Sequence, residues 1–545
     1  MSASSRPFVV TGRIATVAGA ADARAMLVRE GRVAEVGDSR IADQAADAGI
    51  EVHSFGERLI VPGFVDPHIH LRHLATGRGR GVDCRFPHCV SIADVLDALR
   101  DGLANVSAGD WLIGYGNLFF DQKIADRRVP TRAELDQVSD RVPIVLHMGG
   151  HSSVLNTPAL RLAGVERFLS GAAGGWGAPI VDVDEHGEPT GLVAEIDPML
   201  PIPEPDTAET EQYVAQTYAE LFTRYGVTTI GEMVERLDTA DLLSGLIGSG
   251  RMPARAVLYL MVPAALPLHD AVEWASGHRT ISDRVSVAGL KMFADGGYSS
   301  RNAASKTPYA VDHAPHPGYH GVLNLTYPSL RTALEATRAA DLQLAVHTNG
   351  TAAQEEVLTA VLGAGDPMGH PAVRIEHLGN VLADPADIAT WRRAGVRPVL
   401  QPAFLHNFVG DFVPMLLGDA GTRGRLPLRS ILDGGVIPAG SSDVALGAED
   451  QQSNPLFGIW CLLARRSYWQ RHIEPSEAIT FSEALRLFTL EGARALGLAD
   501  EIGSLEPGKR ADFVVFDRDP RAHADDLLRT SVDAVYLDGA PLPTR

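Results

Sequence analysis

His68, His70 and His73 fall within six positions of one short stretch, "VPGFVDPHIHLRH" (61 to 73), directly after an apolar run. Residues i and i+2 of a strand face the same side, so His68 and His70 can reach a single ion. His73 lies off that spacing and is assigned to a loop, with a structural role. Further along, His347 closes "LAVH", His377 closes "VRIEH", and Asp443 follows "VIPAG" in "AGSSD". Imidazole and carboxylate donors together suit zinc and similar divalent metals. Lys291, inside "AGLKMF", is of another kind, because an ammonium cannot bind a metal and is costly to bury charged. Either it pairs with Asp295, or burial lowers its pKa and the neutral amine takes up carbon dioxide as a carbamate whose two oxygens bridge two metals. Arginine cannot do this. Only four of the 48 basic residues are lysines (Lys123, Lys291, Lys306 and Lys509), so a lysine kept at this place favours the carbamate.

These residues need a frame that brings them together. From about 62 to 500, β-rich runs alternate with helical stretches, the pattern of parallel strands with crossover helices. The candidate strands are 64–68, 227–231, 254–261, 288–293, 344–347, 373–377, 397–401 and 436–440. Eight such strands close a (β/α)8 TIM barrel, an α/β fold whose active sites form where the C-terminal strand ends converge. All six side chains lie in or just after those strands. Roughly 150 residues separate the first two strands, far too many for a connection, so 72–220 reads as an inserted subdomain. It contains "VPIVLHM" as a strand and "TAETEQYVAQTYAELFTRY" as a helix returning to the barrel. The glycine-punctuated alternation of 7–61 is shared by the far C-terminus, in "ADFVVFDRDP" and "VDAVYLDGAPL". Segments 1–61 and 501–545 are therefore expected to pair as a small β-sandwich outside the barrel at 62–500.

Composition narrows the function. With 45% hydrophobic and 21% charged residues over 545 positions, the chain is an ordinary globular one with enough length to bury a large core. A formal charge of −20 disfavours nucleic acid and anionic membrane partners, which require concentrated positive charge. The first twenty residues hold no apolar run long enough for a signal peptide, and no later segment is apolar enough to span a bilayer, so a cytoplasmic protein is expected. Cys84, Cys89 and Cys461 are too few for a disulfide framework. Cys84 and Cys89 flank His88 without a second pair at structural-zinc spacing, and they read as ordinary thiols.

In their order, "GFVDPHIHL", "KMFADGG", "VHTNG", "RIEHL", "SSD" and "IGSLEPGKRADFVVFD" resemble the amidohydrolase superfamily of metal-dependent hydrolases. The long insertion, with "DEHGEPTGLVAE" (184 to 195), is similar to amidohydrolase family 3, which includes N-substituted formamide deformylase-like proteins. The resemblance implies that His68, His70 and Asp443 hold one metal, that His347 and His377 hold another, and that carboxylated Lys291 bridges them. It also implies a nucleophilic hydroxide at the metals, with Asp443 as proton acceptor and then donor. A bound divalent ion lowers the pKa of its water to about 7 and polarises a carbonyl.

The chain departs from that pattern at two places. Where the subgroup commonly has Asp-Gly-His, "MGGHSSVLN" has Gly149 before Gly150 and His151, and where it often has Gly-Asp after strand five, "HTNGT" has Thr351. Two carboxylates that could face the substrate are thus replaced. His151 is still placed near the substrate, Arg301 is a candidate clamp for an anionic group, and Asn349 and Gln401 could line the pocket. "GYGNLFFDQ" (114 to 122) and Trp176 are candidates for its apolar wall.

Together these readings lead to a metal-dependent amidohydrolase that cleaves a C–N bond other than a peptide bond, in an N-acyl or N-formyl small molecule, by a metal-activated hydroxide. Its catalytic residues are Asp443 and Lys291. The cofactor is zinc or another divalent metal, as two ions, with a CO2-derived carbamate on Lys291. The same centre could deaminate a heterocycle or open a cyclic amide or lactone. A barrel that has lost catalysis and binds or regulates is the reading from another class, and the presence of all six ligands speaks against it. A homodimer is expected on general grounds alone.

Overall fold

The computed structural model describes residues 6–19, 22–169, 177–365 and 371–543. Its centre is a parallel sheet of eight strands paired in chain order. These are β1 (Phe64–Ile69), β2 (Val227–Val234), β3 (Arg255–Met261), β4 (Val285–Phe293), β5 (Gln343–His347), β6 (Arg374–Glu376), β7 (Arg397–Leu400) and β8 (Ala439–Gly440). The ring is nearly closed just beyond β8, where Val444 bridges Ile69, the Asp443 N–H donates to the His68 carbonyl (2.9 Å) and the His70 N–H to the Val444 carbonyl (3.2 Å). Every residue of β1, β2 and β3 is buried, as required of strands covered on one face by helices and on the other by the barrel interior.

The eight expected strands are present, and their ends shift for local reasons. β8 is short because Pro438 has no N–H to give to a ladder. β2 runs past Gly231 to Val234, since Glu232, which reads as a break in an apolar run, is buried and employed. Its carboxylate accepts the N–H groups of Leu71 (2.8 Å) and Arg72 (3.1 Å) at the start of the helix Leu71–Arg80, whose first amides have no intrahelical partner.

Between β1 and β2 lies a second sheet of six strands, ordered Ile180–Val183, Pro189–Ala194, Ser152–Leu155, Ile144–Met148, Leu112–Gly116 and Val82–Asp83. Alternation sorts its side chains to two cores. Leu112 and Leu146 join one cluster with Val95 and Leu99, while Ile113 and Val145 join another with Leu160 and Phe168. The helix Thr207–Leu221, opened by Asp206 and Glu209 in a reciprocal cap, packs on Leu71–Arg80 and leads back to β2.

The chain ends share a third sheet of seven strands, ordered Ala540–Leu542, Val532–Leu537, Phe513–Phe516, Glu51–Pro62, Phe8–Ile14, Ala23–Arg29 and Arg32–Gly37. Val10, Met26, Ile60, Phe513 and Val515 from its strands share one buried cluster, and the Val33 N–H donates to the carbonyl of Lys509, from the opposite end of the chain (2.9 Å). Among the described residues, no helix is long and apolar enough to cross a membrane.

Candidate metal centre

Four barrel strands and the turn after β8 deliver the polar side chains to one mouth. His68 and His70 come from the end of β1, and one ligand atom from each, with one from Asp443, lie within 4.8 Å of one another. Asp443 Oδ1 is 3.3 Å from His68 Nε2 and 3.5 Å from His70 Nε2, and its Oδ2 is 3.8 Å from His377 Nε2. The His377 ring meets that of His347 edge to face, at 4.5 Å between centroids. His347 Nε2 lies 3.4 Å from the Gly296 carbonyl oxygen and 3.2 Å from Asn349 Nδ2. His347 and His377 thus stand beside the tight group of three, on its β5 and β6 side.

The orientations of His68 and His377 have a visible cause. His68 donates its Nδ1–H to the Glu376 carboxylate (2.7 Å), which turns Nε2 toward Asp443. Glu376 is completely buried and is matched by Arg374, whose Nε lies 2.8 Å from Oε1. His377 donates Nδ1–H to Gln401 Oε1 (2.7 Å), an oxygen that also accepts from Asn380 Nδ2 (2.7 Å). Carboxylates and amides behind metal-competent histidines fix their tautomer and ring plane in this way. His377 and Asp443 both have left-handed backbone, with φ of 68° and 48°, a conformation that costs energy outside glycine and persists where the surroundings impose it. At His377 it breaks the alternation of the strand, so that Glu376 and His377, adjacent in sequence, both serve the same centre.

Lys291 lies beneath the mouth with no exposed surface. Its Nζ has no hydrogen-bond partner among the described residues and sits 4.9 Å from the centre of the Phe293 ring. Asp295 is not its partner: that carboxylate accepts the N–H groups of Ala304, Asn349 and Gly350 at 2.7–2.9 Å. Burial, the largest influence, brings Lys291 down to about 8. Burial and the nearby Lys291 also press His68 to about 4, and burial presses His377 to about 3. Asp443 is lowered as well, but for the opposite reason: burial alone would raise it, and the surrounding histidines outweigh that and hold its carboxyl well below the usual range. Uncharged imidazoles at His68 and His377 and an ionised carboxylate at Asp443 are the forms that divalent-cation binding requires, so these residues fit such a cation.

The pocket above is lined by Leu118, Phe119, Phe293, Tyr298, Phe404 and Phe408, with His151, Asn349 and Gln452 among its polar groups. His151 and Asn349 are therefore at the mouth. Two expected pocket residues are not. Gln401 is fully buried behind His377, because its side chain is consumed in orienting that ring. Arg301 donates to Asp121 (2.8 Å) and to the Ser299 carbonyl, so its charge is spent on the insertion and it does not line the pocket. His73 is in the helix Leu71–Arg80 rather than in a loop. Of the proposed apolar wall, Leu118 and Phe119 are in place, and Trp176 lies outside the described residues. Sequence reading missed Glu376 and Glu195; the first is the carboxylate next to a ligand in "RIEH", and the second closes "DEHGEPTGLVAE".

A parallel eight-stranded barrel with histidines and a carboxylate gathered at its C-terminal rim defines the class, a TIM-barrel protein with a metal-competent mouth. The chain belongs to the amidohydrolase family, whose model matches residues 56–543. It is 29% identical over 542 residues to N-substituted formamide deformylase of Arthrobacter pascens, covering 95% of this chain and 94% of that protein. It is 26% identical to the Protein LONG AFTER FAR-RED 3 of Arabidopsis thaliana, over 95% of this chain and 88% of the other. Among solved structures, a metal-dependent hydrolase from Pyrococcus furiosus superposes with a TM-score of 0.69 at 23% identity, over 94% of this chain and 99% of that one.

Proposed function

We propose that the protein is a zinc-type hydrolase that cleaves the C–N bond of a small N-acyl or N-formyl amide. The observation that carries this reading is the convergence of His68, His70 and Asp443 within 4.8 Å at the barrel mouth. In our reading these three would hold one ion and His347 and His377 a second, with Lys291, as a carbamate, serving as a ligand to both. The buried, unpartnered Lys291 amine supports the last point, since an uncharged lysine can add carbon dioxide and a charged one cannot.

Ions held there would polarise the substrate carbonyl and acidify water. The chain's own residues supply the rest. Asp443 takes the proton of the attacking water and passes it to the departing nitrogen, so that water and amide become carboxylic acid and amine. His151 and Asn349 flank the amide at the mouth. Phe119, Phe404 and Phe408 offer an apolar wall, and no lysine or arginine is among the described residues that line the pocket, which suits a neutral amide better than an N-acyl amino acid. The likeness to a protein named N-substituted formamide deformylase supports the formyl case.

The test is metal analysis beside a product assay on neutral formamides, N-acyl amino acids, hydantoins and lactones. We expect stoichiometric zinc or a similar metal, release of formate or another carboxylate with an amine, and loss of turnover on exhaustive chelation. Turnover that survives removal of all metal would overturn the reading. Ammonia release with an intact ring would move it to deamination. Lys291→Ala should lose both metal and activity, with partial recovery when short carboxylic acids are supplied to replace the missing carbamate.

A further inference from the structure

We propose that Glu195 is a positioning residue of this enzyme, acting through His151 on the substrate side of the mouth rather than through the metal ligands. The inference rests on the reading above, in which His151 faces the amide.

Glu195 follows the insertion strand Pro189–Ala194 and has no exposed surface. Its backbone N–H donates to the His151 carbonyl (3.0 Å), and its carboxylate accepts His151 Nδ1–H (3.0 Å), so the two residues are held together by main chain and side chain alike. The same carboxylate reaches across to the barrel, where it accepts the Gly297 N–H (3.1 Å) and the Ser300 hydroxyl (3.0 Å) in the loop after β4. One buried group thus fixes the imidazole, the insertion and the barrel loop relative to one another. A carboxylate only accepts hydrogen bonds, so its contact with Nδ1 sets which ring nitrogen carries the proton.

The loop is shaped for this pair. A Cβ on Gly296 would lie 2.3 Å from Glu195 Oε1, and a Cβ on Gly297 would lie 2.8 Å from His151 Cγ. Any side chain at either place would push the carboxylate or the ring away, which gives a physical reason for both glycines of "KMFADGG". Glu195 itself has φ of 60°, a strained conformation for glutamate. The ring so held has its centroid 5.6 Å from that of His347 and lines the same pocket as Asn349. By contrast, among the described residues the Glu195 carboxylate bonds His151, Gly297 and Ser300 rather than His68, His377 or Asp443, so its loss should leave the cation-binding group intact.

A double-mutant cycle separates this role from mere docking of the insertion. Glu195→Gln is expected to lower kcat by about tenfold to a hundredfold, taking as a guide the cost of losing a carboxylate behind a metal-ligating histidine, with metal content and KM little changed. In a His151→Ala background the same replacement should cost almost nothing more, because residues that act as a unit are non-additive. Gly297→Ala, which crowds the ring from the barrel side, should reproduce the kcat loss with metal retained. Equal losses from Glu195→Gln in both backgrounds, or loss of metal, would overturn the proposal. If the wild type turns over no amide, the functional reading falls by itself. The imidazole signal that is missing in His151→Ala, read in protein with 15N-labelled histidine, then decides: a change of tautomer in Glu195→Gln supports the positioning role, and an unchanged signal refutes it.

Discussion

At the scale of single residues, His68 and His377 are each backed by a group, Glu376 and Gln401, that decides which ring nitrogen faces the mouth. Glu376 is the clearest case, because it is fully buried, bonds His68 Nδ1 at 2.7 Å and is neutralised by Arg374. Glu376→Gln keeps the shape but can turn a donor toward a donor. It should weaken metal binding by about tenfold to a hundredfold, measured by competition with a chelator of known affinity. Unchanged affinity would remove Glu376 from the centre. Lys291 makes a pH prediction whose sign is fixed by its lowered value of about 8. Below that value the amine is protonated and cannot add carbon dioxide; above it the free amine can. In metal-free protein under 13C-labelled bicarbonate, a carbamate carbon signal should therefore grow as pH rises through about 8 and be absent from Lys291→Ala. A signal that is independent of both would show the label to be elsewhere.

At the scale of elements, β1 and β2 must approach closely for His68 and His70 to point into the mouth. The approach depends on Gly231, where a Cβ would lie 2.1 Å from the Pro67 carbonyl oxygen. That neighbour is backbone and cannot swing away, so Gly231→Ala should force the strands apart, lower stability by about 1–3 kcal/mol and weaken metal binding together with it. Thermal unfolding and metal content of the variant are the measurements, and a stable protein with full metal would refute the argument. The strands themselves could be read in the sequence because each is a short apolar run ending in a polar residue, and parallel packing puts those ends on one rim. The histidines and Asp443 were legible for the same reason. What could not be read was the partner of each side chain. Gln401 and Arg301 have the right chemistry and the right strand or loop, yet hydrogen bonds to His377 and Asp121 take them out of the pocket. Such choices depend on contacts between separate elements, 24 residues apart for Gln401 and His377 and 180 for Arg301 and Asp121, and no local pattern encodes them.

At the scale of the whole molecule, the barrel is tied to the terminal sheet by buried charge at the end opposite the mouth. Arg255, the first residue of β3, pairs with Asp512 and Asp538, and Asp538 also accepts from Arg284 (2.7 Å) and Arg510 (3.0 Å). Arg255 and both acids are nearly buried, so removing one acid leaves guanidinium charge that water cannot reach. Asp538→Asn keeps the side-chain volume and tolerates the left-handed backbone there, φ 49°. It should still cost about 3 kcal/mol, the low end for breaking a buried pair, since Asp512 remains. Burial raises the Asp538 carboxyl, but Arg255 and Arg284 outweigh it and hold the group below its ordinary 3.8. The stabilisation is therefore complete above that value and is lost as pH falls through the depressed native one. The gap in urea midpoint between wild type and Asp538→Asn should accordingly be full at neutral pH and close on strong acidification. The activity of each folded, metal-loaded molecule should be unchanged, because the altered pair lies at the strand ends away from His68 and Asp443. A variant of wild-type stability, or one that stays folded but loses metal, would show that the terminal sheet does not anchor the barrel in this way.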